Sequence, residues 1–267
     1  MDTTTKTSEF AGQVALVTGA AAGIGAAVAT ALGRREARLV LLDRDAGALQ
    51  AQAESLRAIG CEVLTCTLDL RDAQALEAAV AEGERVLGPI DLLANVAGVL
   101  FSGGTLELTD QAWEDTFAIN TTAVFRLCRA VVRGMLERKR GCIVTVASNA
   151  AHAPRLGMAA YAASKAATVH YMRCLALELA PHGIRCNTVS PGSTDTPMQR
   201  AFAPTPEHVQ NVLSGSLERY RLGIPLGRIA TSEEVADLVC FLASERASFL
   251  TGIAITVDGG ITRGVYL

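Results

Sequence analysis

The chain has 267 residues, half of them hydrophobic, which is enough to bury a substantial core in one large α/β domain. Its formal net charge of -3, with scattered lysines and arginines, excludes the basic stripe of a nucleic-acid-binding surface. No apolar stretch is long enough to cross a bilayer, the N-terminus lacks a signal-peptide core, and the seven cysteines contain no CxxC pair. These features predict a soluble, cytoplasmic protein with no membrane or nucleic-acid partner, no metal site and no disulfide framework.

Short runs rich in Val, Ile and Leu alternate with longer amphipathic or alanine-rich segments. Strands that crossover helices bury on both faces produce this alternation. The predicted strands are Val14–Val17, Leu39–Leu42, Val63–Thr67, Leu92–Ala94, Ile143–Val146, Arg185–Val189 and Ala254–Val257. Helices are predicted to begin near Ile24, Asp45, Asp72, Gln111, Met158 and Ser232. The pattern predicts one doubly wound α/β domain with a parallel sheet over residues 10–267, after a flexible tail at residues 1–9.

The first strand runs directly into a glycine-rich turn that opens a helix. Gly19, Gly23 and Gly25 allow the backbone to turn tightly and to approach a pyrophosphate, while the helix N-terminus offers unpaired N–H groups to the anion. The GxxxGxG spacing alone is a weak signal, because any strand-to-helix turn favours glycine. We expect Ala22 and Ile24 to share this contact with the cofactor.

An acidic residue ends the second strand. Asp43 can accept hydrogen bonds from the adenosine ribose hydroxyls, and its charge would repel a 2′-phosphate. The alternative is that Asp43 only forms a turn. Arg44 is adjacent, and its positive charge could weaken the repulsion between Asp43 and a 2′-phosphate. We therefore predict that the cofactor is NAD and not NADP, with both residues beside it.

The third and fourth strands are also followed by candidate cofactor residues. Asp69 and Leu70 follow the third strand, and Asn95, Ala97 and Gly98 follow the fourth. Ligands of open α/β sheets bind at the carboxyl ends of the strands. We expect contacts with adenine and ribose here, although Asp69 could instead cap the next helix.

Four polar residues predict the chemistry. Tyr161 and Lys165 are four residues apart at the start of an alanine-rich helix, so both project from one face. A nearby ammonium group favours the phenolate, which makes a tyrosine a usable base. Ser148, just after the fifth strand, could orient a substrate hydroxyl. Asn120 could bend its helix and hold a water that relays protons from Lys165. Each residue also has a plain structural interpretation, but their combination with the glycine turn predicts a site in which Tyr161 acts as a proton acceptor.

These residues together resemble the short-chain dehydrogenase/reductase family, from Gln13 to Gly260. The matching segments are Thr18–Gly25, Asn95–Gly98, Asn120, Ser148, Tyr161–Lys165, Pro191–Gly192 and Asp258–Gly260. Val96 departs from the pattern, because the family usually has a second asparagine there. The resemblance implies a seven-stranded Rossmann sheet, a catalytic set of Asn120, Ser148, Tyr161 and Lys165, and a homotetramer built on paired helices. Further cofactor contacts are expected at Pro191, Gly192, Thr194 and Thr196.

Residues 192–227 interrupt the alternation of strands and helices. The segment contains several glycines and the prolines Pro197, Pro204, Pro206 and Pro225. Proline restricts helix extension, and long insertions of this kind often cover a site. We predict a lid, with a surface loop as the alternative.

Three stretches, residues 143–155, 189–200 and 222–227, narrow the resemblance to the subfamily of 2,3-dihydro-2,3-dihydroxybenzoate dehydrogenases. The subfamily oxidises the ring C3 hydroxyl of an anionic cyclohexadiene carboxylate, and tautomerisation then gives the catechol used in siderophore biosynthesis. Such a substrate needs a cation and apolar walls. The predicted carboxylate partner is Arg155, unless it is a solvated loop charge. Gln199 and Arg200 are predicted helpers, and Met158, Met198 and Phe202 are predicted walls.

Other functions remain open at this point. The amino analogue 2,3-dihydro-3-hydroxyanthranilate has the same ring and would give 3-hydroxyanthranilate. An NADPH-dependent ketoacyl reductase is a second alternative, against which Asp43 and Arg155 argue. A non-catalytic nucleotide-binding protein is a third, and the presence of Ser148, Tyr161 and Lys165 argues against it.

Overall fold

A computed structural model describes residues 8–263 of the chain. All seven predicted strands are present, and a short hairpin is added between the sixth and the seventh. In chain order the strands are β1 (Val14–Thr18), β2 (Arg38–Asp43), β3 (Val63–Thr67), β4 (Ile90–Asn95), β5 (Gly141–Val146), β6 (Ile184–Pro191), β7 (Gly215–Ser216), β8 (Arg221–Leu222) and β9 (Ala254–Val257).

The seven main strands form one parallel sheet in the order β3-β2-β1-β4-β5-β6-β9. The seven-stranded Rossmann sheet that the family resemblance implied is thus confirmed. The strand order reverses between β1 and β4, and such a switch point opens a crevice at the carboxyl ends of the strands. The small strands β7 and β8 form a separate antiparallel hairpin.

The six predicted helices begin within one residue of their expected positions, and the described residues form three further α-helices. They are α1 (Gly23–Gly33), α2 (Ala46–Ala58), α3 (Ala73–Leu87), α4 (Asp110–Phe117), α5 (Ala123–Arg138), α6 (Ala159–Leu179), α7 (Pro197–Phe202), α8 (Pro206–Ser214) and α9 (Ser232–Ala243), with a π-helical turn at Ala118–Thr122 between α4 and α5. Side-chain caps fix several starts, as at Asp45 for α2 and Asp72 for α3. Within residues 8–263, none of these helices is long and apolar enough to cross a membrane.

The core has two apolar layers, one on each face of the sheet. Alternate residues of β2 belong to opposite layers: Leu39 and Leu41 pack on one side, Val40 and Leu42 on the other, and all four are fully buried. Helices α1, α2 and α9 supply the first layer, and α3, α5 and α6 supply the second. This double burial explains the nearly continuous apolar runs of the strands.

Residues 192–227 contain two helices that the sequence analysis did not expect. Pro197 and Pro206 occupy the first turns of α7 and α8, after the N-caps Thr196 and Thr205. Proline is tolerated there because the first-turn N–H groups need no intrahelical acceptor. The sequence analysis predicted that these prolines would restrict helix extension in this segment. In the structure, Pro197 and Pro206 instead lie at the starts of two helices. That the segment acts as a lid stays a prediction.

Residues 1–7 of the predicted flexible tail lie outside the described residues. Glu9, within the described part, forms an ion pair with Arg35, with 3.4 Å between Oε2 and Nε.

Candidate active site

The glycine-rich turn brings the start of α1 directly against the end of β1. A Cβ on Gly25 would collide with the carbonyl oxygen of Gly19, and one on Gly19, whose φ is +67°, would lie 2.9 Å from the Cα of Ala97. The Oγ1 of Thr18 accepts hydrogen bonds from the backbone N–H groups of Val96 and Ala97 at 3.0 and 3.1 Å. The turn and the end of β4 therefore meet closely and without intervening side chains.

A cavity at this end of the sheet brings together most of the predicted cofactor residues. Its lining includes Gly19, Ala22, Gly23, Ile24, Gly25, Asp43, Arg44, Asp69, Leu70, Ala97, Gly98 and Thr196. Val96 also lines it and packs against the core. The exposed backbone of the glycine turn and the carboxylate of Asp43, which line the same cavity, match the pyrophosphate and ribose of a dinucleotide.

The two candidate aspartates make different contacts. The carboxylate of Asp43 accepts the backbone N–H of Ala21 at 3.0 Å and that of Asp45 at 3.1 Å, so it supports the turn while it faces the cavity. Asp69 binds the guanidinium of Arg71, with 2.6 Å between Oδ2 and Nη2, and these hydrogen bonds lower the pKa of Asp69. Its side chain does not cap α3, since Asp72 does so.

Asn95 is the one predicted residue of this group whose side chain lies elsewhere. It is 2% exposed, and its Nδ2 donates to Thr145 Oγ1 at 3.2 Å inside the core. It lines neither this cavity nor the adjoining one. The side chain of Asn95 could contact a cofactor only if it left the core and broke its hydrogen bond with Thr145.

An adjoining cavity holds the predicted chemical groups. Its lining includes Ser148, Arg155, Met158, Tyr161, Lys165, Pro191, Gly192, Thr194, Met198, Gln199 and Phe202. Gly98, Ile24 and Thr196 line both cavities. The two therefore form one continuous cleft over the carboxyl edge of the sheet.

Ser148, Tyr161 and Lys165 are all buried at the floor of this cleft. Burial raises the pKa of Tyr161, and a hydrogen bond with Ser148 lowers it by a smaller amount. The net shift is upward, opposite to the effect expected from Lys165. Burial lowers the pKa of Lys165 to about 8, so the amine is mostly protonated at neutral pH. Its Nζ donates to the backbone carbonyl of Val146 at 3.0 Å and lies 5.9 Å from the centre of the Tyr161 ring.

Asn120 lies within the π-helical turn, where the helix was expected to bend. It is fully buried, its Oδ1 accepts the N–H of Val99 at 2.9 Å, and its Nδ2 donates to Val99 O at 3.0 Å and to Ser164 Oγ at 3.1 Å. A Cβ on Gly98 would lie 3.3 Å from this Oδ1 and 3.2 Å from Lys165 Nζ. Asn120 and Lys165 thus pack against the same glycine, and the water relay stays a prediction.

Two residues of the substrate region differ from expectation. Gln199 lines the cleft, but Arg200 does not. The Nε of Arg200 binds Asp195 Oδ1 at 2.9 Å on the opposite surface, where the Arg200 side chain is 68% exposed. Successive residues of a helix point about 100° apart, and in α7 the residues Met198, Gln199 and Phe202 face the cleft whereas Arg200 does not. Arg221, which the sequence analysis missed, lines the cleft from the hairpin. The one sequence feature that could have indicated Arg221 is its position directly before residues 222–227, one of the three stretches that carry the subfamily resemblance.

A family model described as enoyl-(acyl carrier protein) reductase matches residues 19–262. The chain is 46% identical to a 2,3-dihydro-2,3-dihydroxybenzoate dehydrogenase of Bacillus subtilis (strain 168), over 95% of this chain and 97% of that protein. It is 41% identical to a protein of the same name from Escherichia coli (strain K12), over 96% and 99%. The chain belongs to the short-chain dehydrogenase/reductase family.

The structure agrees with this assignment. It superposes with a TM-score of 0.88 on a 7 alpha-hydroxysteroid dehydrogenase complexed with NADH and 7-oxo glycochenodeoxycholic acid, at 29% identity and with 96% of each chain covered. Members of the family are oxidoreductases that use nicotinamide cofactors. The chain is therefore an enzyme of this class, and its glycine turn, Gly98 and Asp43 form a cavity that fits such a cofactor.

Proposed function

We propose that this enzyme oxidises the ring C3 hydroxyl of 2,3-dihydro-2,3-dihydroxybenzoate with NAD. The ketone tautomerises to 2,3-dihydroxybenzoate, which feeds catechol siderophore biosynthesis. The observation that carries the proposal is the guanidinium of Arg155 in the same cleft as Ser148 and Tyr161. With Met158, Met198 and Phe202 also lining this cleft, it suits a flat apolar ring that carries one carboxylate. The names of the two relatives support the same substrate.

When bound, a nicotinamide cofactor would supply the acceptor for the hydride that leaves C3. Tyr161 accepts the hydroxyl proton through its Oη, and the hydroxyl of Ser148 orients the reacting oxygen. Lys165, protonated near neutral pH and held by Val146 O, would hold the nicotinamide ribose and would offset the charge of the phenolate. Asn120 connects the loop after β4 to α6 through hydrogen bonds with Val99 and Ser164. These bonds help to hold Lys165, the next residue of α6, in its position.

The cofactor preference follows from Asp43. Its carboxylate lines the cofactor cavity, and a 2′-phosphate brought to this position would meet a like charge. Arg44 lines the same cavity but is exposed to solvent, where screening weakens its attraction for the phosphate. We therefore propose NAD as the working cofactor.

The test is NADH formation by purified enzyme with 2,3-dihydro-2,3-dihydroxybenzoate or 2,3-dihydro-3-hydroxyanthranilate, the aromatic product being identified by mass spectrometry. We expect faster turnover of the first substrate, and faster turnover with NAD than with NADP. Preference for the amine would replace the proposed function with synthesis of 3-hydroxyanthranilate. No activity with either would leave only the family assignment, and preference for NADP would contradict the role of Asp43.

A further inference from the structure

The cleft holds a second cation beside Arg155. Arg221 begins β8, and its Nη2 donates to Ser193 Oγ at 3.1 Å. Both arginines line the cavity that contains Tyr161 and Ser148. Burial and, to a smaller extent, the positive charges of Arg155 and Arg219 lower the pKa of Arg221 to about 10. Two partly buried like charges in one cleft raise its free energy unless an anion binds with them.

Three buried donors at this place have no acceptor. Within residues 8–263, Arg155 Nη2, Arg221 Nε and Gln199 Nε2 are buried and make no hydrogen bond. They come from three separate segments: the loop before α6, the hairpin and α7. A buried donor without a partner costs free energy, so three of them in one cleft indicate a site for an acceptor from outside the chain.

The carboxylate of Asp258, whose charge acts on Arg155, already accepts four hydrogen bonds. Its Oδ2 accepts Thr262 Oγ1 at 2.6 Å, Thr262 N at 3.1 Å and Asn149 Nδ2 at 3.3 Å, and its Oδ1 accepts Gly260 N at 3.0 Å. It acts on Arg155 only through its charge, which partly offsets the effect of burial on the pKa of Arg155. Among the residues that the structure describes, no salt bridge joins Arg155 or Arg221 to a carboxylate.

We propose that Arg155, Arg221 and Gln199 form a carboxylate receptor, and that Arg221 is its specificity-determining member. The inference rests on the proposed function and deepens it. A ring acid with a hydroxyl at C2 brings one net negative charge to the pair of guanidinium groups. The amino analogue, protonated near neutral pH, brings no net charge and places an ammonium group near the same pair. The receptor thus favours the hydroxy acid.

The test compares Arg221→Gln and Arg221→Lys with a matched control, Arg219→Gln. Arg219 is an exposed cation two residues away that lies outside the cleft lining. The first readout is the dissociation constant of benzoate from the enzyme–NAD complex. The second is kcat/KM for 2,3-dihydro-2,3-dihydroxybenzoate and for the uncharged cyclohexadiene diol that lacks the carboxylate.

For Arg221→Gln we expect benzoate binding and kcat/KM for the acid to fall about 10- to 100-fold, the range of a charge-assisted hydrogen bond. Turnover of the uncharged diol and the affinity for NAD should stay within about twofold, which also shows that the variant is folded. Arg221→Lys should recover part of the loss, and Arg219→Gln should match the wild type.

Equal losses for the acid and the uncharged diol, or no loss for either, would overturn the inference. The two proposals fail separately. If the wild type binds benzoate through Arg221 but does not oxidise the dihydroxy acid, the receptor stands and the proposed function falls. If it oxidises the acid and Arg221→Gln changes nothing, the proposed function stands and the receptor falls.

Discussion

At the residue scale, Tyr161 has to act as a proton acceptor in a place where burial opposes its ionisation. Burial raises its pKa, and only the hydrogen bond with Ser148 lowers it. Lys165, with a pKa of about 8, contributes a positive charge that is present below that pH and is lost above it. Contacts within the protein therefore favour the protonated phenol at neutral pH, so the rate of oxidation should depend on pH.

We expect kcat/KM for oxidation to rise with pH through the neutral range, because the ionised fraction of Tyr161 grows about tenfold per pH unit below its pKa. The rise should flatten above about pH 8, where Lys165 loses its proton. Ser148→Ala removes the hydrogen bond that lowers the pKa of Tyr161, so its profile should be lower and shifted to higher pH. Ser148→Thr keeps a hydroxyl and serves as the control. A profile unchanged in Ser148→Ala would contradict this account.

Replacing Tyr161 with Phe removes only the phenolic oxygen. We expect turnover to fall about 10²- to 10⁴-fold, the usual contribution of a general base, while NAD binding measured by calorimetry stays close to the wild type. Tyr171→Phe is the matched control, because Tyr171 lies on the same helix and packs edge-on against Phe125, 5.9 Å away between ring centres. Near-normal turnover in Tyr161→Phe would remove this residue from the mechanism.

At the scale of elements, the junction of β1 and α1 depends on close backbone contact. Gly25→Ala would force its new methyl group into the carbonyl of Gly19, so we expect lower thermal stability and loss of NAD binding. Gly47→Ala is the control. Gly47 lies in α2, where the nearest atom of another described residue to a new Cβ is Asp45 Oδ1 at 3.7 Å, and the change should stabilise the protein by about 0.5–1 kcal/mol. Equal melting temperatures and NAD affinities for the two variants would show that the turn tolerates a side chain.

Helix α7, which borders the cleft, directs two adjacent side chains into different surroundings. Gln199 and Arg200 are adjacent in α7, yet one faces the cleft and the other pairs with Asp195 outside it. Substitution of Arg200 is therefore not expected to change substrate binding, in contrast to Gln199. The sequence presents both as equal candidates because it gives no helix at this position.

At the scale of the whole molecule, large apolar side chains remain uncovered. Leu177 on α6 is 80% exposed and Phe249 is fully exposed, and apolar side chains of this size are often covered by a partner subunit. From the family resemblance and these exposed side chains we predict a homotetramer. Sedimentation equilibrium should give a mass about four times 27.9 kDa. Leu177→Glu, which places charge on α6, should lower that mass if paired helices form the interface, and a wild-type mass of one chain would contradict the prediction.

The sequence by itself determined the features that depend on local pattern. Buried parallel strands need continuous apolar runs, so β1 to β6 and β9 were identified without coordinates. The glycine turn needs its glycines for steric reasons, and Tyr161 and Lys165 share a helix face because of their spacing. These signals act over a few residues, where backbone geometry is fixed.

Only the tertiary structure decided which distant side chains meet. It buries Asn95 against Thr145, turns Arg200 away from the cleft and brings Arg221 beside Arg155. It also reverses the expected direction of the Tyr161 pKa shift, because desolvation depends on every segment that covers the phenol. Side-chain direction and burial are set by packing between elements far apart in the chain, and no local pattern encodes them.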